Sequence, residues 1–160
     1  MKARKPGSLV SDNESGVDCR HKEGALTRRV LVVDDDEGIR RVLARELRRG
    51  YDVCLADGAS AASALLEDDR SFCAVVSDLI MGSGPTGIEI LGEVRLHTPH
   101  AVRILISGTP RDVEATRVIQ SGIAHEFIEK PWRAGEVLAA LDRWVARIAS
   151  GTNDGAGVRL

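Results

Sequence analysis

Aromatic residues are scarce. Two Phe, two Trp and one Tyr make up 3% of the 160 residues, so any core must be aliphatic, built from Val, Ile, Leu and Ala. At 43% hydrophobic residues the chain has enough of these to bury one, and its length suits one domain with something left over. A dominant charge is missing too. The formal net charge is −2, and no basic patch interleaves with aromatics, so nothing points to nucleic acid. Cysteine is sparse and odd in number: Cys19, Cys54 and Cys73 lack C-x-x-C spacing. That disfavours a zinc site or a disulfide framework and predicts free thiols in a reducing compartment. No apolar run reaches the roughly 18 residues of a membrane span. The basic N-terminus (Lys2, Arg4, Lys5) has no apolar segment behind it, so it does not read as a secretory signal. Together these absences predict a soluble cytoplasmic protein with no membrane contact.

What is present is organised. Residues 1–28 are polar and aperiodic and read as a mostly disordered tail; residues 149–160 read as a second flexible tail. Between them, over 29–148, short β-branched runs alternate with helical patterns. "RVLVV" (29–33), "DVCLA" (52–56), "FCAVV" (72–76), "VRILI" (102–106) and "HEFI" (125–128) predict strands. Near-continuous apolar runs suit strands buried on both faces of a parallel sheet. The first helix sets Ile39, Val42, Leu43 and Leu47 on one face and Arg40, Arg41, Arg45, Arg48 and Arg49 outward. The last carries Leu138, Leu141, Val145 and Ile148 at helical spacing. Thr86 and Glu89 form a capping-box pattern. Thr109, Pro110 and Asp112 mark another helix start. Five βα units predict an α/β fold, a doubly wound five-stranded parallel sheet with helices on both faces.

In such sheets function gathers at the carboxyl ends of the strands. Asp34, Asp35 and Asp36 follow the first run, Asp78 the third, Ser107 the fourth, and Lys130 with Pro131 the fifth. Clustered carboxylates repel one another and favour a bound cation; an all-oxygen donor set selects a hard ion such as Mg²⁺. A carboxylate beside such an ion can attack phosphorus and form an aspartyl phosphate. Lys130 and Ser107 supply the cation and hydroxyl that the phosphoryl oxygens need. Asp36 also suits the N-cap of the first helix.

These blocks, "RVLVVDDDEGIRRVL", "AVVSDLIMGSGPTGIEIL", "RILISG" and "FIEKPW", resemble the receiver domain of bacterial two-component response regulators over about residues 29–148. The resemblance implies a flavodoxin-like (βα)5 receiver fold, here as a stand-alone module. It implies that Asp78 accepts a phosphoryl group from a histidine kinase or a histidine phosphotransfer protein. Asp34 and Asp35 would hold Mg²⁺ together with Asp78 and the backbone carbonyl of Ile80. Ser107 fills the place of the switch hydroxyl, Lys130 that of the phosphate-binding lysine and Phe127 that of the switch aromatic. The Lys130–Pro131 bond is expected to be cis. No output domain is read after residue 148, so output is expected through binding an unidentified protein at about residues 110–148. Slow self-phosphorylation and autodephosphorylation would be the only chemistry, and the chain would not otherwise be an enzyme.

Gly82 to Gly87, "GSGPTG", fits G-x-G-x-x-G letter for letter. A dinucleotide loop, however, belongs on the first strand–helix turn with an acid about 20 residues on. This stretch follows the third strand, and "RILISGTP" lacks the acid. It reads as a flexible loop beside Asp78, and it departs from the receiver pattern D-x-x-M-P-x-x-x-G: Gly82 follows Met81, Pro85 is displaced and the loop is longer. Gly108 stands where a small residue, commonly Ala, is expected. Two other readings remain open. One is a degenerate receiver that binds partners without phosphorylation. The other is a haloacid-dehalogenase-type phosphatase built on Asp34-x-Asp36. The latter wants Thr or Val next, where Glu37 and Gly38 stand, and a late acidic pair for which only Glu126 and Glu129 are available. His97, His100 and His125 lack ligand spacing and read as structural or solvated. Trp132 and Trp144 read as packing residues, Trp144 with a claim to a partner surface.

Overall fold

The computed structural model describes residues 17–19, 28–109 and 113–151. One sheet holds six strands: β1 (Val17–Cys19), β2 (Arg29–Val33), β3 (Asp52–Ala56), β4 (Phe72–Asp78), β5 (Val102–Ser107) and β6 (Glu126–Glu129), in the order β1-β3-β2-β4-β5-β6. β2 to β6 are mutually parallel, as the apolar runs predict, while β1 pairs antiparallel with β3. Five helices connect them: α1 (Glu37–Leu47), α2 (Ala59–Asp68), α3 (Gly87–His97), α4 (Val113–Gln120) and α5 (Glu136–Ala149).

The strands are apolar on both faces because both faces are covered. Along β2, Val30 and Val32 pack with Leu43, Leu47, Val137 and Leu141 of α1 and α5. The alternate residues Leu31 and Val33 pack with Ala62, Ile90, Leu91, Val94 and Val118 of α2, α3 and α4. That is strand periodicity shared between two helix layers. Each such side chain, fully buried, contributes about 1.5–3 kcal/mol. Two ties fix α5 to α1 and the turn after it. The Tyr51 hydroxyl donates to Asp142 at 2.6 Å, and Glu46 accepts from the Leu138 N–H at 3.0 Å. The second tie caps a helix whose own N-cap, Gly135, has no side chain.

Several expectations need adjustment. β4 runs on to Asp78 and β5 to Ser107, past their apolar runs, because Ser77 pairs with Val33 and Asp78 with Ile106 in the ladder. β6 starts at Glu126 rather than His125. β1 lies inside the stretch read as tail; three residues are too few to show period 2, and they gain stability by covering the outer edge of β3. The free-thiol reading is corrected at Cys54, which is disulfide-bonded, whereas Cys73 is free. The backbone register of β1 sets position 19 opposite position 54. Val42, read as facing the core, is 41% exposed; Leu43, Ala44 and Leu47 carry the burial of α1. α5 runs through Ala149, one residue into the expected second tail; residues 1–16, 20–27 and 152–160, and Pro110 and Asp112 of the expected α4 start, lie outside the described residues. No helix among the described residues is long and apolar enough to cross a membrane.

Candidate functional site

Strand order reverses between β2 and β4, and the crevice there opens at their carboxyl ends. Asp34 directly follows β2. Its N–H donates to the Ala56 carbonyl at 3.2 Å, which carries the pairing with β3 one residue on. Its side chain is 1% exposed and doubly engaged: Oδ1 accepts from the Asp36 N–H at 2.8 Å, and Oδ2 from the Lys130 ammonium at 3.0 Å. Asp36 turns the chain into α1 as N-cap, accepting from the Ile39 N–H at 3.0 Å. The triplet thus divides its work, with Asp36 capping while Asp34 and Asp35 face the crevice. Asp78, the last residue of β4, is 8% exposed, and its Oδ1 accepts from Lys130 Nζ at 3.0 Å.

Lys130 follows β6. Its backbone N–H donates to the Ser107 carbonyl at 2.7 Å, and its peptide bond to Pro131 is cis. One carboxylate oxygen from each of Asp34, Asp35 and Asp78 lies within 4.8 Å of the others, and Asp35 is exposed. Three oxygen donors converging from two strand ends suit a hard divalent cation, which coordinates one or two carboxylates and completes its shell with water or phosphate oxygens.

The electrostatics follow from this crowding. Burial raises the Asp78 carboxyl pKa, and the neighbouring charge of Asp34 adds to it. The Lys130 hydrogen bond and charge and the Leu79 N–H pull the other way, but the net direction is upward. Burial alone would depress Lys130. The hydrogen bonds and charges of Asp34 and Asp78 outweigh it, so the pKa rises and the side chain stays an ammonium. The crevice therefore holds a half-buried cation between two buried carboxylates, with a third, exposed carboxylate at its mouth.

The side chains of the remaining predicted residues make no hydrogen bond to this group. Ser107 ends β5 and is 1% exposed. Its hydroxyl bonds neither Asp78 nor Lys130. It shares a 2.7 Å hydrogen bond with the Thr109 hydroxyl and accepts from the Thr109 N–H at 3.1 Å. Phe127, on β6, is half-buried against the α2–α3–α4 side of the core. Ile80, two residues past Asp78, is 59% exposed. In the long loop Gly82 takes a left-handed φ of 56°. The loop ends at Thr86, where the expected capping box is complete: the Thr86 hydroxyl accepts from the Glu89 N–H and the Glu89 carboxylate accepts from the Thr86 N–H.

Sequence reasoning missed three participants. Thr109, read as a helix start, is bonded to the Ser107 hydroxyl. Arg40, read as pointing outward, donates to the Asp34 carbonyl at 2.7 Å; an arginine four residues past an N-cap acid carries no signal of this. Gly87 is the third. A Cβ there would lie 2.0 Å from the Asp78 carbonyl oxygen, so only glycine lets the first turn of α3 pack on the strand end that presents Asp78.

Residues 30–142 match the family model described as the response regulator receiver domain. A putative response regulator NtrX-like protein of Rickettsia conorii is 33% identical over 116 residues, 71% of this chain and 24% of that protein. The photosynthetic apparatus regulatory protein RegA of Rhodovulum sulfidophilum is 33% identical over 113 residues, 70% of this chain and 60% of its own length. The chain thus spans about a quarter of the first relative and 60% of the second. Among solved structures, a CheY-like response regulator receiver domain protein from Methanospirillum hungatei matches with a TM-score of 0.71 at 23% identity, covering 78% of this chain and 98% of that one. A response regulator protein from Burkholderia pseudomallei, solved with a phosphorylated aspartic acid, calcium ion and citrate, matches at 0.65 and 27% identity, covering 83% and 77%. The beryllofluoride-activated DrrB receiver domain matches at 0.67 and 24% identity, covering 76% and 99%.

Proposed function

The chain belongs to the response regulator receiver family, a signalling module of two-component systems, and on that premise we propose that Asp78 accepts a phosphoryl group and thereby switches a protein-binding surface. The observation that carries this reading is the Asp78 carboxylate held at a strand end, 3.0 Å from the Lys130 ammonium and beside Asp34 and Asp35. The donor is the phosphohistidine of a histidine kinase or of a histidine phosphotransfer protein. A carboxylate oxygen of Asp78 forms the new O–P bond while the N–P bond breaks and its electron pair returns to the imidazole. Asp34, Asp35, Asp78 and the Ile80 carbonyl would hold Mg²⁺, which supplies charge neutralisation for the phosphoryl oxygens. Lys130, already a half-buried ammonium, turns from the carboxylates to a phosphoryl oxygen. The phosphorylated aspartate and calcium ion of the Burkholderia pseudomallei relative support this assignment.

Ser107 then closes on the phosphoryl group, and Phe127 turns inward to fill the space released. This biases a two-state surface on α4, β6 and α5, from about residue 110 to 148. The donor has a fitting surface as well. Ile39, Val42 and Trp132 line a groove of about 770 Å³ beside Lys130, together with Arg45, Arg49 and Glu46, the last of which is engaged by the Leu138 N–H. Apolar side chains beside three cations, Arg45, Arg49 and Lys130, suit an acidic helical partner. We place the module in the cytoplasm with such kinases; the Cys54 disulfide is the observation that pulls against this placement.

The test is intact mass after incubation with acetyl phosphate, with and without Mg²⁺, beside Asp78→Asn. The reading expects one added phosphoryl group that needs both Mg²⁺ and Asp78. No adduct, with Mg²⁺ binding demonstrated, would refute it. A degenerate receiver that binds partners without phosphorylation, its chemistry silenced by the altered Gly82–Gly87 loop, would then be the better account.

A further inference from the structure

The hydroxyl read as the switch is already taken. Ser107 is buried, so its hydroxyl must find partners inside the protein. It finds both on one residue, the hydroxyl of Thr109 at 2.7 Å and the N–H of Thr109 at 3.1 Å. Thr109 itself is exposed. The pair is therefore asymmetric. If Ser107 leaves, the Thr109 hydroxyl passes to water at little cost. If Thr109 loses its hydroxyl, the buried Ser107 hydroxyl keeps only the backbone contact.

We propose that Thr109 is a positioning residue that sets the threshold of this receiver: its hydroxyl holds the Ser107 hydroxyl in the resting orientation and competes with the phosphoryl group on Asp78 for it. The inference rests on the phosphoryl-accepting reading of Asp78 and goes beyond it in naming what the incoming group must displace. Ser107 is well located for such a contest. It lies one residue beyond Ile106, the register partner of Asp78, and its carbonyl accepts from the Lys130 N–H at 2.7 Å. The backbone around the hydroxyl is thereby fixed between β4 and β6, and only the side-chain torsion is left to change. Each orientation is a staggered rotamer with its own partner, so the choice between them is discrete. A net neutral hydrogen bond biases that choice by roughly two- to tenfold.

The experiment is a titration of the full chain with beryllofluoride in Mg²⁺, read by intrinsic tryptophan fluorescence, with phosphoryl lifetime measured in parallel by intact mass. Thr109→Val keeps shape and branching and removes only the hydroxyl; Thr109→Ser keeps the hydroxyl. Thermal melting establishes that both are folded. Thr109→Val should bind beryllofluoride roughly two- to tenfold more tightly than wild type and hold its phosphoryl group longer, while Thr109→Ser returns to wild-type behaviour. A merely structural threonine would not give that rescue. Thr109→Val binding with unchanged or weaker affinity, while wild type binds and is phosphorylated, would overturn the latch and leave the reading of Asp78 standing. Wild type that neither binds beryllofluoride nor takes a phosphoryl group would overturn both.

Discussion

Gly87 offers a stringent test of how α3 holds the phosphoacceptor strand. A Cβ at this position would sit 2.0 Å from the Asp78 carbonyl oxygen, 2.9 Å from its carbon and 3.0 Å from Leu105 Cδ1. The oxygen must recede by about an ångström to reach even a tight contact. It belongs to backbone, not to a flexible side-chain end. The Gly87 N–H donates to the Leu79 carbonyl at 2.9 Å, and the Leu79 N–H donates to Ile106 at 2.9 Å, so neither side yields freely. Overpacking costs about 1–3 kcal/mol and occasionally more. With backbone on both sides, Gly87→Ala should lie near the top, about 3 kcal/mol, and lower Tm by about 10 °C for a domain of this size. The control sits on the same helix. At Gly92 nothing lies within 4 Å of a built Cβ, so Gly92→Ala should stabilise by about 0.5–1 kcal/mol through helix propensity. Paired thermal and urea unfolding read the two effects. Gly87→Ala melting within about 2 °C of wild type, or Gly92→Ala losing as much as Gly87→Ala, would refute the close-approach argument.

Other outcomes follow from the polar groups. His125 accepts from the Arg103 N–H through Nδ1 at 2.9 Å; burial first, then the Arg103 charge, depresses its pKa from 6.5 to about 4. The unfolded chain therefore binds the extra proton between those values. Stability is full above about pH 6.5, falls as the pH drops and levels off near 4. The loss is at most about 3 kcal/mol, and about half that for a ring that solvent partly screens. A His125→Gln variant whose urea midpoint keeps the wild-type slope over this window would contradict the assignment. Lys130→Met leaves Asp34 and Asp78 facing each other. In chelator it should cost about 2 kcal/mol, and the deficit should narrow in millimolar Mg²⁺; an unchanged urea midpoint in chelator would count against the Asp34–Lys130–Asp78 ion triad. Alkylation of the denatured chain without reductant should label Cys73 and spare Cys54, and after reduction all three cysteines should be labelled. Three labels without reductant would refute the disulfide.

The parts of the fold that the sequence shows are those where one local signal suffices. β-branched runs buried on both faces announce β2 to β5, and Thr86 with Glu89 announces the start of α3. The acids, Ser107 and Lys130 are legible because each directly follows a recognisable run. What is not legible depends on neighbours distant in sequence. Ser77 and Asp78 join β4 only because Val33 and Ile106 offer ladder partners. β1 exists only by pairing with the edge of β3. The half-buried group of His125 and Trp144, with ring centroids 5.1 Å apart and the indole N–H donating to Glu126 at 2.6 Å, comes from a loop and a helix meeting in space. A reading by spacing finds only a scattered histidine and a packing tryptophan there. Thr109 is the instructive case. Its type and position fit a helix cap, and only the direction of the Ser107 side chain reveals the bond between them.

The central claim concerns one carboxylate, so the most direct measurement is to locate the modification. The chain would be phosphorylated by a phosphohistidine-bearing phosphotransfer domain in Mg²⁺, treated with borohydride, which reduces an acyl phosphate to the alcohol, and mapped by peptide mass. The account predicts homoserine at position 78 and nowhere else. Homoserine at position 34 or 35, or an unmodified peptide map after demonstrated transfer from the donor, would contradict it.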